Sequence, residues 1–378
     1  MKKLILLFAL LIPACAFSQP KKEIIYVGTY SVRDSKGIYV FELNRVKGTL
    51  KLIQTVIDRN SPSFLAVHPS GKFLYSVNSS GIEGYEDSGS VSAFSIDPKT
   101  GKLTFINHVS SFGDGPCHIA VDWNGDWAFV SNYNEGNFVV IPIFEDGSLG
   151  AISDSKKYSG SSVNKSRQEK PHIHSARISK DNKYVYVSDL GTDKIYTYSI
   201  DAANGKISPA TKSEVSVAPG AGPRHLALHP NGNFAYSAEE LTSTVGVFSI
   251  DRTSGALTII QDTVRSLPTS FNGSNTSAEI QTDAAGKHLY MSNRGADVLS
   301  VFSIEPTGKI KFVGTQSTMG KTPRNFLVDR RGKFIWVANQ DSDLITIFRI
   351  DNKTGMPVFT GNKVKVPSPV CIRHLILN

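Results

Sequence analysis

From residue 23 onward the chain alternates apolar and polar side chains at period two, in short runs that stop at turn-forming residues. Successive side chains of a strand point to opposite faces, so this alternation predicts half-buried strands. One phrase recurs seven times: IYVFELN (38–44), VSAFSID (91–97), FVVIPIF (138–144), IYTYSID (195–201), VGVFSID (245–251), LSVFSIE (299–305) and ITIFRID (345–351). Each copy is followed by a turn carrying a glycine, at Gly48, Gly101, Gly147, Gly205, Gly255, Gly308 and Gly355. A further short apolar strand is expected after each turn, as in LKLIQTV (50–56) and LTIIQDTV (257–264). No stretch carries a convincing helical period.

Six of the phrases are preceded by a hairpin with its turn at Ser70-Gly71, Asn124-Gly125, Asp181-Asn182, Asn231-Gly232, Ala285-Gly286 or Arg331-Gly332. The strands after these turns are FLYSVN (73–78), WAFVSN (127–132), YVYVSD (184–189), FAYSAE (234–239), HLYMSN (288–293) and FIWVAN (334–339). The unit is therefore four antiparallel strands, a to d, and a repeat of about fifty residues points to a propeller or solenoid. The first unit starts at its b strand, IIYVGTY (24–30), and lacks an a strand. The chain ends on PVCIRHLIL (369–377), an a strand with nothing after it. Supplying the missing strand from the C-terminus closes the ring and removes its free edges. The expected fold class is all-β: a seven-bladed β-propeller with four antiparallel strands per blade, its first blade closed by the C-terminal strand. Residues 20–378 form one domain in this reading.

Residues 1–19, MKKLILLFALLIPACAFSQ, carry two lysines, an apolar run from Leu4 to Ile12 and then small residues. This predicts a secretory signal peptide, too short for a membrane span, with cleavage near Ala16 or Ser18. Lipidation at Cys15 is the lesser expectation, because Pro13 fits a lipoprotein cleavage box poorly. The protein is expected to be periplasmic or secreted. Cys117 and Cys371 then remain, read as buried thiols because spacing alone cannot show a disulfide. The net charge is +8, but no block of five basic residues occurs and no nucleic-acid motif is present. Nucleic acid is not an expected partner, and a monomer is expected.

Chemistry is concentrated where a strands begin and b strands end, on one face of the ring. Aligning the repeats through their turns puts Ser63, Cys117, His174, Arg224, Ala278 and Arg324 at one equivalent position. A second position holds Ser79, Tyr133, Leu190, Glu240, Arg294 and Gln340. Ionisable side chains at a channel mouth are costly unless paired or used. A ring of inter-blade ion pairs serving stability alone is the bland alternative. The arginine excess favours an anionic ligand, which guanidinium forks bind in bidentate fashion. Three connections longer than the rest, 79–90, 157–171 and 265–276, open on the same face. His172 and His174 could begin a metal site, but no third ligand at recognisable spacing joins them, and no metal or cofactor is expected. His68 and His229, each before a proline in a hairpin turn, read as turn residues. There is no G-x-S-x-G elbow, H-E-x-x-H or phosphate-cradling glycine loop.

GPRHLALHPNGNFAYSAEEL (222–241), RQEKPHIHSA (167–176), FNGSNTSAEI (271–280) with HLYMSNRGAD (288–297), and PRNFLVDRRGKFIWVANQDSD (323–343) together resemble the seven-bladed lactonase family. Its members include the propeller-type bacterial 6-phosphogluconolactonase and the fungal 3-carboxy-cis,cis-muconate lactonizing enzyme. The resemblance spans residues 23–378. It implies hydrolysis or formation of a lactone ring next to an acidic substituent, with His174, Arg224, Glu240 and Arg294 as catalytic residues. Taken with the leader, the expectation is an exported hydrolase of a sugar-acid lactone. Glu240 or His174 would act as general base, and Arg224 and Arg294 would bind the substrate anion and the oxyanion. His172, His225, Asn293 and Arg324 are the expected substrate-binding residues. The chain departs from its relatives at Glu239 and at Ala278-Glu279. A cycloisomerase of the muconate type, or a propeller that binds a glycan or peptide without catalysis, are the alternatives.

Overall fold

The computed structural model describes residues 21–58 and 60–377. The expected signal peptide and its cleavage site lie outside the described residues. No helix among the described residues is long and apolar enough to cross a membrane.

The chain forms seven sheets of four strands each. Each b strand carries an aromatic residue at its third position or one equivalent to it: Tyr26, Tyr75, Phe129, Tyr186, Tyr236, Tyr290 and Trp336. All seven are buried between blades. Four of the tyrosines donate a hydrogen bond to a glycine carbonyl in the c–d turn of the next blade. These are Tyr26 to Gly101 (2.8 Å), Tyr75 to Gly147 (3.1 Å), Tyr236 to Gly308 (3.0 Å) and Tyr290 to Gly355 (2.9 Å). The recurring aromatic and the recurring glycine are thus two halves of one inter-blade contact, each net hydrogen bond contributing about 1 kcal/mol. His68 and His229 do more than turn the chain. Their Nε2 atoms lie 2.9 Å from the carbonyls of Gly125 and Gly286 in the following blade.

The ring closes as the split repeat requires. Pro369–Ile376 pairs antiparallel with Glu23–Thr29 and completes the first blade. A buried charge network covers this seam: Arg45 reaches Glu23 and Asp329, and His374 Nε2 lies 2.9 Å from Glu23. Burial raises the Glu23 carboxyl, but Arg45 and His374 outweigh it and hold the group low. Inner strands are also tied blade to blade, by Arg177 donating to the Leu226 carbonyl and Arg373 to that of Leu65, both at 2.8 Å.

One strand departs from expectation. After Gly147 of the third blade only an isolated bridge forms, Ile143 with Leu149, and the outer strand is the polar Asp154–Lys157. Pro142, which has no N–H, ends the c strand, and the Gly150 N–H bonds back to its carbonyl. Among the described residues Cys117 and Cys371 are free thiols, Cys371 buried and Cys117 half-buried.

Candidate functional site

The site is built by a repeated irregularity. Proline opens four of the inner strands, at Pro116, Pro223, Pro323 and Pro369, a place where a missing N–H is tolerated. In each case the next residue drops out of register with the b strand: Cys117, Arg224, Arg324 and Val370. His174 does the same after Ile173, and Ala278 after Ser277, each with a register shift of one residue. A bulge of this kind re-aims the extra side chain. Cys117, His174, Arg224, Ala278 and Arg324 belong to the ring found by aligning the repeats, and Val370 of the split blade joins them. Ser63, Cys117, Arg224, Arg324 and Val370 from that ring, with Phe64 and His225 beneath, enclose a small pocket at the channel mouth.

Glu240 stands at the centre of the charge beside this pocket. Its backbone N–H bonds to the Gly222 carbonyl at 2.8 Å. Gly222 has φ +66°, and an added Cβ would meet the Leu241 side chain at 2.9 Å, so both its conformation and its surroundings require glycine. Arg167 donates to Glu240 Oε1 at 2.6 Å; Arg224 Nε and Arg294 lie 2.9 and 3.0 Å from Oε2. The Arg224 Nε contact is close but not aligned as a hydrogen bond, and its NH1 donates instead to the Ala278 carbonyl at 2.9 Å. Burial would raise the Glu240 carboxyl. Arg294, Arg224 and Arg167 outweigh it and hold the group far below the usual carboxylate range. Arg324 has no carboxylate partner among the described residues and lies over the Tyr30 ring, 5.2 Å from its centroid. Three guanidiniums therefore converge on one carboxylate, and a fourth, that of Arg324, borders the pocket.

His174 is 4% exposed, edge-on to Tyr133 and to His225, with its Nδ1 3.7 Å from Cys117 Sγ. Burial pushes the Cys117 thiol up to about 12, which keeps it neutral. Desolvation first, then Arg224, push the His174 and His225 rings well below their usual range, so both are neutral bases. Deeper in the channel Glu279, fully buried, lies 3.2 Å from His225 Nδ1 and 3.7 Å from Arg177.

The four expected catalytic residues, His174, Arg224, Glu240 and Arg294, come together, with His225 and Arg324 on the adjoining pocket. His172 sits at the edge, stacked on Tyr133, its nitrogens engaged by the Tyr133 carbonyl and Glu169. Among the described residues no cluster of three potential metal ligands forms around the histidine pair. Asn293 is not part of the mouth. It is fully buried and bonded to Ser266, Asn275 and Ser300. Strand alternation explains this: Arg294 points to the mouth, so its neighbour points between the blades.

Sequence reasoning missed three contributors. Arg167 lies in a quoted motif, but nothing in its spacing shows that the long loop returns to Glu240. Asp193 pins that loop: its carboxylate accepts from Gln168 Nε2 (2.7 Å), Ser162 Oγ (2.5 Å), and the Gly220 and Gly222 N–H groups (2.6 and 2.7 Å). Glu279 was visible only as a departure from the relatives' pattern.

Glu239 occupies the position at which Asn78, Asn132, Asn293 and Asn339 bond across to the c strand. Its longer side chain fits because Gly246 leaves space opposite, where a Cβ would stand 2.7 Å from Oε1. Burial, against one hydrogen bond from Thr244, pushes its carboxyl up to about 7. A raised carboxyl stabilises the fold fully below the unfolded value of about 4.5, and that contribution is lost as pH rises through about 7. Glu239→Gln should remove this dependence, and at pH 8 should stabilise the protein by up to roughly 3 kcal/mol, or about 4 °C in Tm. Thermal melts at pH 5 and pH 8 check it; equal pH dependence in both proteins would refute it.

A family model described as lactonase, 7-bladed beta-propeller, matches residues 24–374. The chain is 36% identical over 355 residues to a 6-phosphogluconolactonase of Bacillus subtilis, covering 94% of this chain and 99% of that one. It is 35% identical over 309 residues to a 6-phosphogluconolactonase of Formosa agariphila, covering 80% of this chain and 86% of the relative. Among solved structures, the periplasmic gluconolactonase of Pseudomonas aeruginosa matches with a TM-score of 0.87 at 32% identity, covering 94% of this chain and 100% of that one. By the length of these matches, and by its closed ring of seven four-stranded blades, the chain belongs to the seven-bladed β-propeller lactonase family.

Proposed function

We propose that the protein hydrolyses the ester bond of a small anionic lactone, a sugar-acid lactone, at the channel mouth. The observation that carries this reading is the excess of guanidinium charge at the channel mouth, where Arg224, Arg324 and His225 line one small pocket and the Glu240–Arg294 pair adjoins it. Convergence at one mouth favours an enzyme over a glycan- or peptide-binding module, which would tolerate dispersal of these groups over an open face.

In the proposed reaction Arg324 and Arg294 hold the substrate anion. Arg224, fixed by Glu240 and the Ala278 carbonyl, faces the oxygen on which charge develops. Water attacks the lactone carbonyl carbon while an imidazole accepts its proton. The ring C–O bond then breaks, and the leaving alkoxide takes that proton back, giving the open hydroxy acid. Glu240 is poorly placed as the base expected from the resemblance, because both its oxygens are covered by arginines. Its role here is to hold those arginines in position. That leaves the imidazoles, of which the resemblance names His174.

The leader expected over residues 1–19 favours export, where unphosphorylated lactones are at hand rather than sugar phosphates. Of these, one that keeps a free carboxylate beside its lactone ring carries the anion the arginines hold. A pH-stat assay of phosphorylated and plain sugar lactones tests the whole reading. Wild-type protein should consume base with at least one of them. Arg324→Met should raise KM for the anionic substrate about tenfold or more with kcat little changed, the loss of one charge-assisted contact. A wild-type chain that hydrolyses no lactone of the panel above background sinks the proposal.

A further inference from the structure

Beneath the arginines lies a histidine–carboxylate pair to which the reading above gives no role. Resting on that reading, we propose that His225, oriented by Glu279, is the general base that takes the proton from the attacking water.

The argument starts from the two ring nitrogens. His225 borders the pocket together with Arg224 and Arg324. Its Nδ1 lies 3.2 Å from Glu279 Oε2, while its Nε2 is buried and has no partner. The ring is 2% exposed and bounded by Phe64, His118 and His174, with centroids 5.4 to 5.6 Å away. A base must have one nitrogen free to accept and the other held so that the tautomer is fixed. His225 meets both conditions.

Glu279 supplies the orientation. Asn325 accepts the Ile372 N–H on its Oδ1 (2.9 Å), which turns its Nδ2 toward Glu279 Oε2. The Ile280 N–H donates to Oε1 at 3.1 Å, and Arg177 lies 3.7 Å from the same oxygen. Burial pushes the Glu279 carboxyl up while Arg177, Arg373 and Arg224 pull it back. With donors on both of its oxygens it is the acceptor of the pair, so the His225 Nδ1 carries the hydrogen and Nε2 the lone pair. His174 lacks such a partner, since its Nδ1 faces a neutral thiol at 3.7 Å. The same one-residue bulge as in the neighbouring inner strands brings Glu279 inward: Ser277 pairs with Asn293 and Ile280 with Met291, so Ala278 takes the place of Arg224 and Glu279 that of His225. A fully buried carboxylate in the channel is costly unless it is used. Acting only as a counter-ion to Arg177 and Arg373 is its bland alternative.

The experiment uses full-length protein and the lactone that wild type turns over fastest, with remaining lactone read as its hydroxamate. His225→Ala should lower kcat by about 10³-fold with KM within about threefold, and added imidazole should restore part of the rate. Glu279→Gln, nearly isosteric, should lower kcat by about 10²-fold at unchanged KM, because its amide group meets the donors that hold the carboxylate and upsets the tautomer. Binding of inorganic phosphate, followed by the rise in Tm, reports whether each variant keeps the folded mouth. Folded variants with kcat within fivefold of wild type, or a His225→Ala loss that imidazole does not relieve, would overturn the assignment. Failure of wild type itself would overturn the lactonase reading instead.

Discussion

Glu240→Gln should destabilise the protein by about 3 to 5 kcal/mol, the range for stripping one partner from a buried ion pair. The reason is electrostatic. Arg167, Arg224 and Arg294 converge on one carboxylate whose side chain is 5% exposed, and an amide leaves three guanidiniums without compensation. Tm should fall by about 4 to 7 °C, given the size of the domain. The variant should also regain stability when an anion replaces the lost charge, so phosphate should raise its Tm more than it raises that of wild type. The pH dependence has a definite sign. A carboxyl held below its ordinary value adds stability that is present above about pH 4.5 and lost as pH falls through the depressed folded value. The two proteins should therefore differ most near neutrality and converge in acid. Activity toward an anionic lactone should drop about a hundredfold, because Arg224 and Arg294 lose the contact that fixes them. Thermal melts across pH, with and without phosphate, check the first part. A variant as stable as wild type at pH 7 and indifferent to phosphate would mean that the arginines are screened by something other than Glu240.

The fold was legible because it is repeated. Seven copies of a c-strand phrase, each followed by a glycine turn, state the blade number, and the unpaired ends state how the ring closes. The site was legible for a related reason: a bulge at the same place in successive inner strands puts His174, Arg224 and Arg324 in one ring. What the repeat cannot carry is whatever breaks it. Arg167 belongs to a loop without counterparts, and its approach to Glu240 depends on Asp193 gathering Gln168, Ser162 and two backbone amides. Glu279 stands at the position that His118, His225 and Asn325 hold in other blades, and the repeat gives no sign that its carboxylate meets the His225 ring of the blade before. Asn293 shows the converse error. Adjacency to Arg294 suggested a shared role, but alternation along the strand sends the two side chains to different places.

Removing residues 369–378 should abolish cooperative folding. The deletion takes the inner strand from the first blade and leaves the backbone edge of Glu23–Thr29 unpaired toward the channel. Val370, Cys371 and Ile372 are all buried, and the loss of even two such side chains costs about as much as the 5 to 15 kcal/mol by which domains are usually stable. Polar ties go as well. Glu23 loses His374, Asn325 loses the Ile372 N–H, and Leu65 loses the Arg373 guanidinium that also lies 4.5 Å over the Phe64 ring. Those last two contacts border the pocket, so the seam and the site share residues. Ile372→Ala is the graded version: within its cluster of Ile25, Val27, Trp336 and Val366 it should cost about 3 kcal/mol and lower Tm by about 4 °C. Circular dichroism melts of the truncated chain should show no sharp transition, and a synthetic peptide of residues 369–378 added in trans should restore one. A truncated protein that melts within a few degrees of the full chain would show that six complete blades and one three-stranded blade hold the ring without the C-terminal strand.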